Sequence, residues 1–170
     1  MAAGKSSLGR RIARRFGMAF VDLDAEIVAR TGASVNLIFA HEGEPGFRRR
    51  ESEALADLTS RRGVVLATGG GSVLAEANRR LLRERGFVVW LRASVDQQLA
   101  RTANDRSRPL LATPDRRGRL EALAHERDPL YAEVADLAFG GGREGAAPAS
   151  QRLAAAIEQQ WQREPPASAA

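Results

Sequence analysis

A glycine, a lysine and a serine at the head of an amphipathic run, Gly4-Lys5-Ser6, constrain this chain more than any other stretch. Gly-Lys-Ser opening a helix is the second half of a phosphate-binding loop. In such a loop, backbone N–H groups at the helix N-terminus cradle a phosphate and the ammonium bridges its neighbours. Of the 26 basic residues 25 are arginine, and the single lysine is Lys5. A compact, freely rotating ammonium stands where a planar guanidinium fork would fit poorly. The first glycine of the full motif, and the apolar strand that should feed it, would lie upstream of Met1. The chain is therefore expected to start inside its own nucleotide site, with Met1 an internal methionine of a longer protein.

The remaining segments fit an α/β architecture. Residues 4–16 place Leu8, Ile12, Ala13 and Phe16 on one helical face and Arg10, Arg11, Arg14 and Arg15 on another, and Gly17 supplies the stop. Strands are expected at 18–24, 64–68, 87–91 and 135–139, with helices between them. Strand, helix, strand at this spacing means right-handed crossovers and a doubly wound parallel sheet flanked by helices. Residues 25–62 read as a helical excursion with turns at Thr31-Gly32 and at 42–46, its second helix capped by Ser34. A last helix is expected to begin at Ser150 and run to about Trp161. The whole reads as one domain over 1–163, with a frayed tail over 164–170.

Several stretches carry candidate chemistry. Period-two alternation puts Asp22 and Asp24 on one side of a strand end, where open α/β sheets bind ligands; the pair suits magnesium and a substrate hydroxyl, or a helix N-cap for the segment 25–30, and Asp24 could do both. Arg48, Arg49 and Arg50 point about 100° apart on a helix, so at most one or two serve a ligand. Gly69-Gly70-Gly71, directly after a buried strand, implies either close backbone approach to a ligand or a turn closed to β-carbons. The polar stretch from Arg101 through Arg106 and Arg108 to Leu111 reads as a mobile lid, spanning about 102–116, that brings guanidinium groups onto phosphate.

Composition removes other classes. The net charge is +5, but arginines alternate with acids along 79–85 and 116–127 and aromatics make up only 5%, so no base-stacking nucleic-acid face is expected. Cysteine is absent, which excludes disulfides, thiol nucleophiles and zinc–thiolate sites. No stretch reads as a signal peptide or a membrane span, and a cytoplasmic protein is expected.

Taken together, Gly4-Lys5-Ser6, Asp22-Leu23-Asp24, Gly46-Phe47-Arg48 with Glu51, Thr68-Gly69-Gly70-Gly71, Arg108-Pro109-Leu110-Leu111 and Arg127-Asp128-Pro129-Leu130-Tyr131 before Ala135-Asp136 resemble the shikimate kinases, P-loop kinases related in fold to the nucleoside monophosphate kinases. The resemblance implies ATP-dependent transfer of phosphate to the 3-hydroxyl of shikimate, with Mg2+, by a monomer. It implies that Ala2, Ala3, Gly4, Lys5, Ser6 and Ser7 hold the phosphates of ATP, that Arg101 lies by the adenine, and that Ser6 and Asp22 hold the metal. Asp24 would bind the shikimate hydroxyls and take the 3-hydroxyl proton. Arg48 and Arg127 would grip the carboxylate, Gly69, Gly70 and Gly71 would admit the ring, and Arg108 would close with the lid as a catalytic group beside Lys5. Ala2 departs from the family's usual glycine, and the stretch Gly140 to Gly145 departs from its usual turn. A gluconate-type kinase would keep Lys5, Ser6 and Asp22 without reason to keep both Arg48 and Arg127, and a kinase-like ligand sensor would lose the phosphate-loop residues. The resemblance also implies that the strand feeding the phosphate loop lies between those ending near Thr68 and Leu91. The chain from Met1 onward is accordingly expected to fold poorly or with a gap there, and to be nearly inactive.

Overall fold

The computed structural model describes residues 3–103, 109–111, 113–140 and 144–161, which form seven α-helices and four strands. Helix α1 (Lys5–Phe16) begins at Gly4, whose φ of 83° is open to glycine, and ends at Gly17, also left-handed, whose N–H returns to the last turn. Its buried residues are Leu8, Ile12 and Ala13, so the arginine face is left to solvent. Strand β1 (Ala19–Asp22) is shorter than the expected 18–24. Asp22 accepts a hydrogen bond from the Ala25 N–H and caps α2 (Leu23–Thr31), so the chain turns helical before Asp24 can continue the strand alternation. Asp24 therefore stands on the first turn of α2.

Helix α3 (Val35–Leu58) is capped by Ser34, as its sequence predicts, and it is broken where the turn at 42–46 is expected, two helical stretches meeting at a kink. Gly43 alone leaves helical geometry, at φ 67°, and Pro45 falls in the first turn of the resumed helix, where a missing N–H costs little. Glu42 and Arg50 pair across the kink at 2.7 Å. Strand β2 (Val64–Ala67), α4 (Glu76–Arg85), β3 (Val89–Arg92) and α5 (Val95–Thr102) follow, α5 opening with a Ser94/Gln97 capping box. After a short 3-10 turn at Pro109–Leu111 come α6 (Arg116–Val134), β4 (Leu137–Gly140) and α7 (Ala146–Gln160). Helix α7 is capped at Gly145, five residues ahead of the expected cap at Ser150, with Pro148 in its first turn; Ser150 instead returns its hydroxyl to Ala147 O at 2.7 Å.

All strand pairing is parallel: β1 with β2, Ala19 opposite Val64, and β3 with β4, Val89 opposite Leu137. Helices cover both faces. Leu8 and Ile12 of α1 pack with Leu153 and Ile157 of α7 over Leu137 and Phe139, while α2 and α3 bury Leu23, Ile27, Leu55 and Leu58 on the other side. Neighbours in β2 serve opposite cores, Val65 the first and Leu66 the second, which is the period-two signature of a sheet sandwiched between helix layers.

No ladder joins the two strand pairs among the described residues. The free edges of β2 and β3 face a cavity of about 1250 Å³, lined by Val64 to Ala67 and Val89 to Arg92 and walled by Leu8 and Ile12 of α1. The gap lies where the sequence predicts it, and β2 and β3 are only partly buried as a result.

Candidate active site

The ends of β1 and β2 and the start of α1 meet at one mouth of this cavity. Ala3, Lys5, Thr68, Gly69 and Gly70 line it there. Ser6, one residue into α1, donates its hydroxyl to Asp22 Oδ2 at 2.8 Å, so two residues sixteen apart in sequence form one oxygen pair. A hydroxyl beside a carboxylate suits a hard cation that keeps most of its ligands as water and phosphate, as Mg2+ does. Among the described residues no group of three or more His, Cys, Asp or Glu forms a protein-built cage for a metal.

Asp24 is exposed on the first turn of α2. The protein packed around its carboxyl nevertheless raises its pKa above the usual aspartate value, with Asp22 and Glu51 adding to the effect and Lys5 and Arg48 opposing it. Asp24 thus senses both the lysine of the phosphate loop and the arginine of α3, which places it between the two halves of the site.

The second half is built around the glycine triplet. Gly70 to Val73 form a turn, with Ser72 N–H to Gly69 O at 3.3 Å and Leu74 N–H to Gly71 O at 3.0 Å. None of the three glycines is among those with positive φ, so conformation does not demand them. Space does. A β-carbon on Gly69 would stand 2.8 Å from Glu51 Oε1 and 3.5 Å from Asp24 Oδ1, one on Gly70 2.9 Å from the Tyr131 hydroxyl, and one on Gly71 2.3 Å from the Arg48 guanidinium. Of the two sequence readings of the triplet, the turn closed to β-carbons is the one these contacts support, and the groups that close it are the side chains of Glu51, Tyr131 and Arg48.

Two guanidinium groups thereby reach adjacent residues of one turn. Arg48 lies against Gly71, and Arg127 Nη1 comes within 3.7 Å of a Gly70 β-carbon position. Arg48 is held on two edges, Nη1 to Glu51 Oε2 at 2.7 Å and Nε and Nη2 to Glu44 Oε1 at 3.2 and 2.9 Å. Burial works against its charge, but Glu51 and Glu44 outweigh that and raise its pKa. Glu51 is fully buried and also accepts from Ser72 Oγ at 2.7 Å, and Asn78 Nδ2 braces Ser72 O at 3.0 Å. Arg127 is buried, and its Nε has no hydrogen-bond partner among the described residues. Of the other arginines of α3, Arg49 is exposed and Arg50 serves the kink, so one of the three faces the site.

Arg101 sits exposed on the last turn of α5. Ala2 and Arg108, with the core of the expected lid at 104–108, lie outside the described residues. Sequence reasoning gave no role to Glu44, Glu51, Ser72, Asn78 or Tyr131. The i,i+4 and i,i+3 spacing of Glu44 and Glu51 from Arg48 was a usable signal, whereas the contacts of Ser72 and Tyr131 span 21 and 61 residues and leave no local trace.

The family model for shikimate kinase matches residues 1–159. A shikimate kinase of Bordetella avium is 61% identical over 142 residues, covering 84% of this chain and 68% of the relative. One of Methylococcus capsulatus is 52% identical over 158 residues, covering 93% and 88%. Among solved structures, a shikimate kinase from Acinetobacter baumannii in complex with shikimate superposes with a TM-score of 0.91 at 43% identity, covering 94% of this chain and 89% of that one. A shikimate kinase from Bacteroides thetaiotaomicron gives 0.84 at 29% identity, covering 93% and 94%.

Proposed function

The chain belongs to the shikimate kinase family, and on that premise we propose that it transfers the γ-phosphoryl group of ATP to the 3-hydroxyl of shikimate, giving shikimate 3-phosphate and ADP. The observation that carries this reading is the convergence of Arg48 and Arg127 on adjacent glycines of one turn, with Asp24 at the glycine before them. Two guanidinium groups suit a carboxylate, and a carboxyl with a raised pKa suits a hydroxyl that must lose its proton.

In the proposed reaction the shikimate carboxylate lies against Arg48 and Arg127, and Gly69, Gly70 and Gly71 let the ring approach the backbone. Asp24 accepts hydrogen bonds from the ring hydroxyls and takes the 3-hydroxyl proton as that oxygen bonds to the γ-phosphorus and the bond to the β,γ-bridging oxygen breaks. Ala2, Ala3, Gly4 and Ser7 supply backbone contacts to the phosphates of ATP, Lys5 spans the β- and γ-phosphates, and Arg101 flanks the adenine. Ser6 and Asp22 hold Mg2+, which when bound supplies charge neutralisation at the phosphates. Arg108 comes down on the transferring group. Positioning and charge do most of the catalysis, so loss of one such contact costs on the order of a hundredfold in rate.

The protein is proposed to act as a cytoplasmic monomer without nucleic acid. No helix among the described residues is long and apolar enough to cross a membrane. ADP release measured with shikimate, quinate and gluconate tests the reaction, and release with gluconate alone would select the gluconate-type kinase. The open cavity between β2 and β3 favours one second reading, a domain that binds shikimate without turning it over. Shikimate binding with no ADP release would select that.

A further inference from the structure

Tyr131 stands one helical turn after Arg127 on α6, so the two side chains share a face. Its hydroxyl donates to Gly70 O at 2.5 Å, and the Arg127 guanidinium stands by the same residue, its Nη1 3.7 Å from a Gly70 β-carbon position. The ring is backed by Trp90 of β3, centroids 5.6 Å apart and planes inclined by 34°, so it cannot swing away from the turn without unpacking β3. We propose that Tyr131 is a positioning residue for the acceptor: its hydroxyl fixes the Gly70–Gly71 peptide beside the Arg127 guanidinium. The proposal rests on reading Arg127 and the glycine turn as the acceptor site.

Peptide geometry explains why this matters. In a trans peptide the C=O of Gly70 and the N–H of Gly71 point in opposite directions. Holding the oxygen on Tyr131 therefore aims the Gly71 N–H away from Tyr131, and hydrogen bonding at one end of the unit polarises the other. Burial raises the phenol's pKa above its usual value, so the proton given to Gly70 O stays in place through the neutral range.

The test is a double-mutant cycle of Tyr131→Phe and Gly70→Ala on the whole protein. It is read as shikimate affinity by tryptophan fluorescence, as affinity for a non-hydrolysable ATP analogue, as the amide exchange rate of Gly71, and as Tm. Tyr131→Phe is expected to weaken shikimate about tenfold, to leave the nucleotide analogue unchanged and to speed exchange at Gly71. A β-carbon on Gly70 would stand 2.9 Å from the hydroxyl, so Gly70→Ala should weaken shikimate by itself, and the loss in the double variant should be smaller than the product of the two single losses. Equal loss of both ligands in Tyr131→Phe, unchanged shikimate affinity, or losses that multiply in the double variant would each overturn the proposal. If the unmodified protein binds no shikimate, the reading of the acceptor site falls, and this proposal with it.

Discussion

The guanidinium of Arg48 lies so close over Gly71 that a β-carbon there would stand 2.3 Å from its Cζ, Nη1 and Nη2. The carboxylates of Glu44 and Glu51 hold the group from two other edges, so it cannot move aside without losing an ion pair. Gly71→Ala is therefore expected to lower shikimate affinity by about a hundredfold, equivalent to two charge-assisted hydrogen bonds. Nucleotide affinity should change little, while Tm should fall, because displacing the guanidinium costs it an ion pair. Parallel titrations with shikimate and an ATP analogue check this.

Arg48→Ala and Arg127→Ala should each weaken shikimate by about 10- to 100-fold and leave the ATP analogue unaffected. Both are read as carboxylate ligands with no nucleotide role. Calorimetric titration of each variant with both ligands decides, and equal loss of the two would remove the assignment.

Glu51→Ala tests the support beneath Arg48. The carboxylate is fully buried and accepts from both Arg48 and Ser72, so its removal leaves two donors without their acceptor. A stability loss of about 3 kcal/mol is expected, read from denaturant midpoints. A surface pair such as Arg15–Glu158 should contribute below about 1 kcal/mol by the same measurement.

Asp24 carries a pH prediction. Its pKa is raised in the folded protein, so the fold favours the protonated carboxyl; that contribution is complete below the ordinary value of 3.8 and is lost as pH rises through the raised one. Asp24→Asn keeps a neutral group at every pH. The variant should melt slightly higher than the parent at pH 7, equally at pH 3, and turn over at least about a hundredfold more slowly. A lower Tm at pH 7 would contradict the assignment of the shift to burial.

Much of this was legible in the sequence because it depends on neighbours. Ser34, the Ser94–Gln97 box, Gly17 and Gly32 mark helix ends through bonds that span only a few residues. Asp24 is expected at the strand end because alternation carries no information on where a cap, here Asp22, will interrupt the strand. The break at Glu42 to Gly46 was legible because Gly and Pro are strong breakers, and Gly43 does leave helical geometry there. Arg48 stood out through its motif, but the reason for the glycines opposite it, side chains arriving from α3 and α6, required the assembled fold.

The cavity between β2 and β3 supports a further prediction. An added segment of five apolar residues, a glycine and one linking residue ahead of Met1 would supply a strand to two open edges. Its side chains would contribute roughly 1.5 to 3 kcal/mol each on burial. Tm should rise by at least about 10 °C, and a version with proline at alternate positions, which cannot complete a ladder, should give no gain. No difference between the two would mean that the cavity does not accept a strand.

The divided sheet also has a signature in time. In a parallel strand successive N–H groups point to opposite edges, so in β2 and β3 every second amide bonds to its partner strand while its neighbours face the cavity. Exchange with heavy water should therefore show a comb: slow and fast residues alternating along Val64–Ala67 and again along Val89–Arg92, in two strands that a closed sheet would protect from end to end.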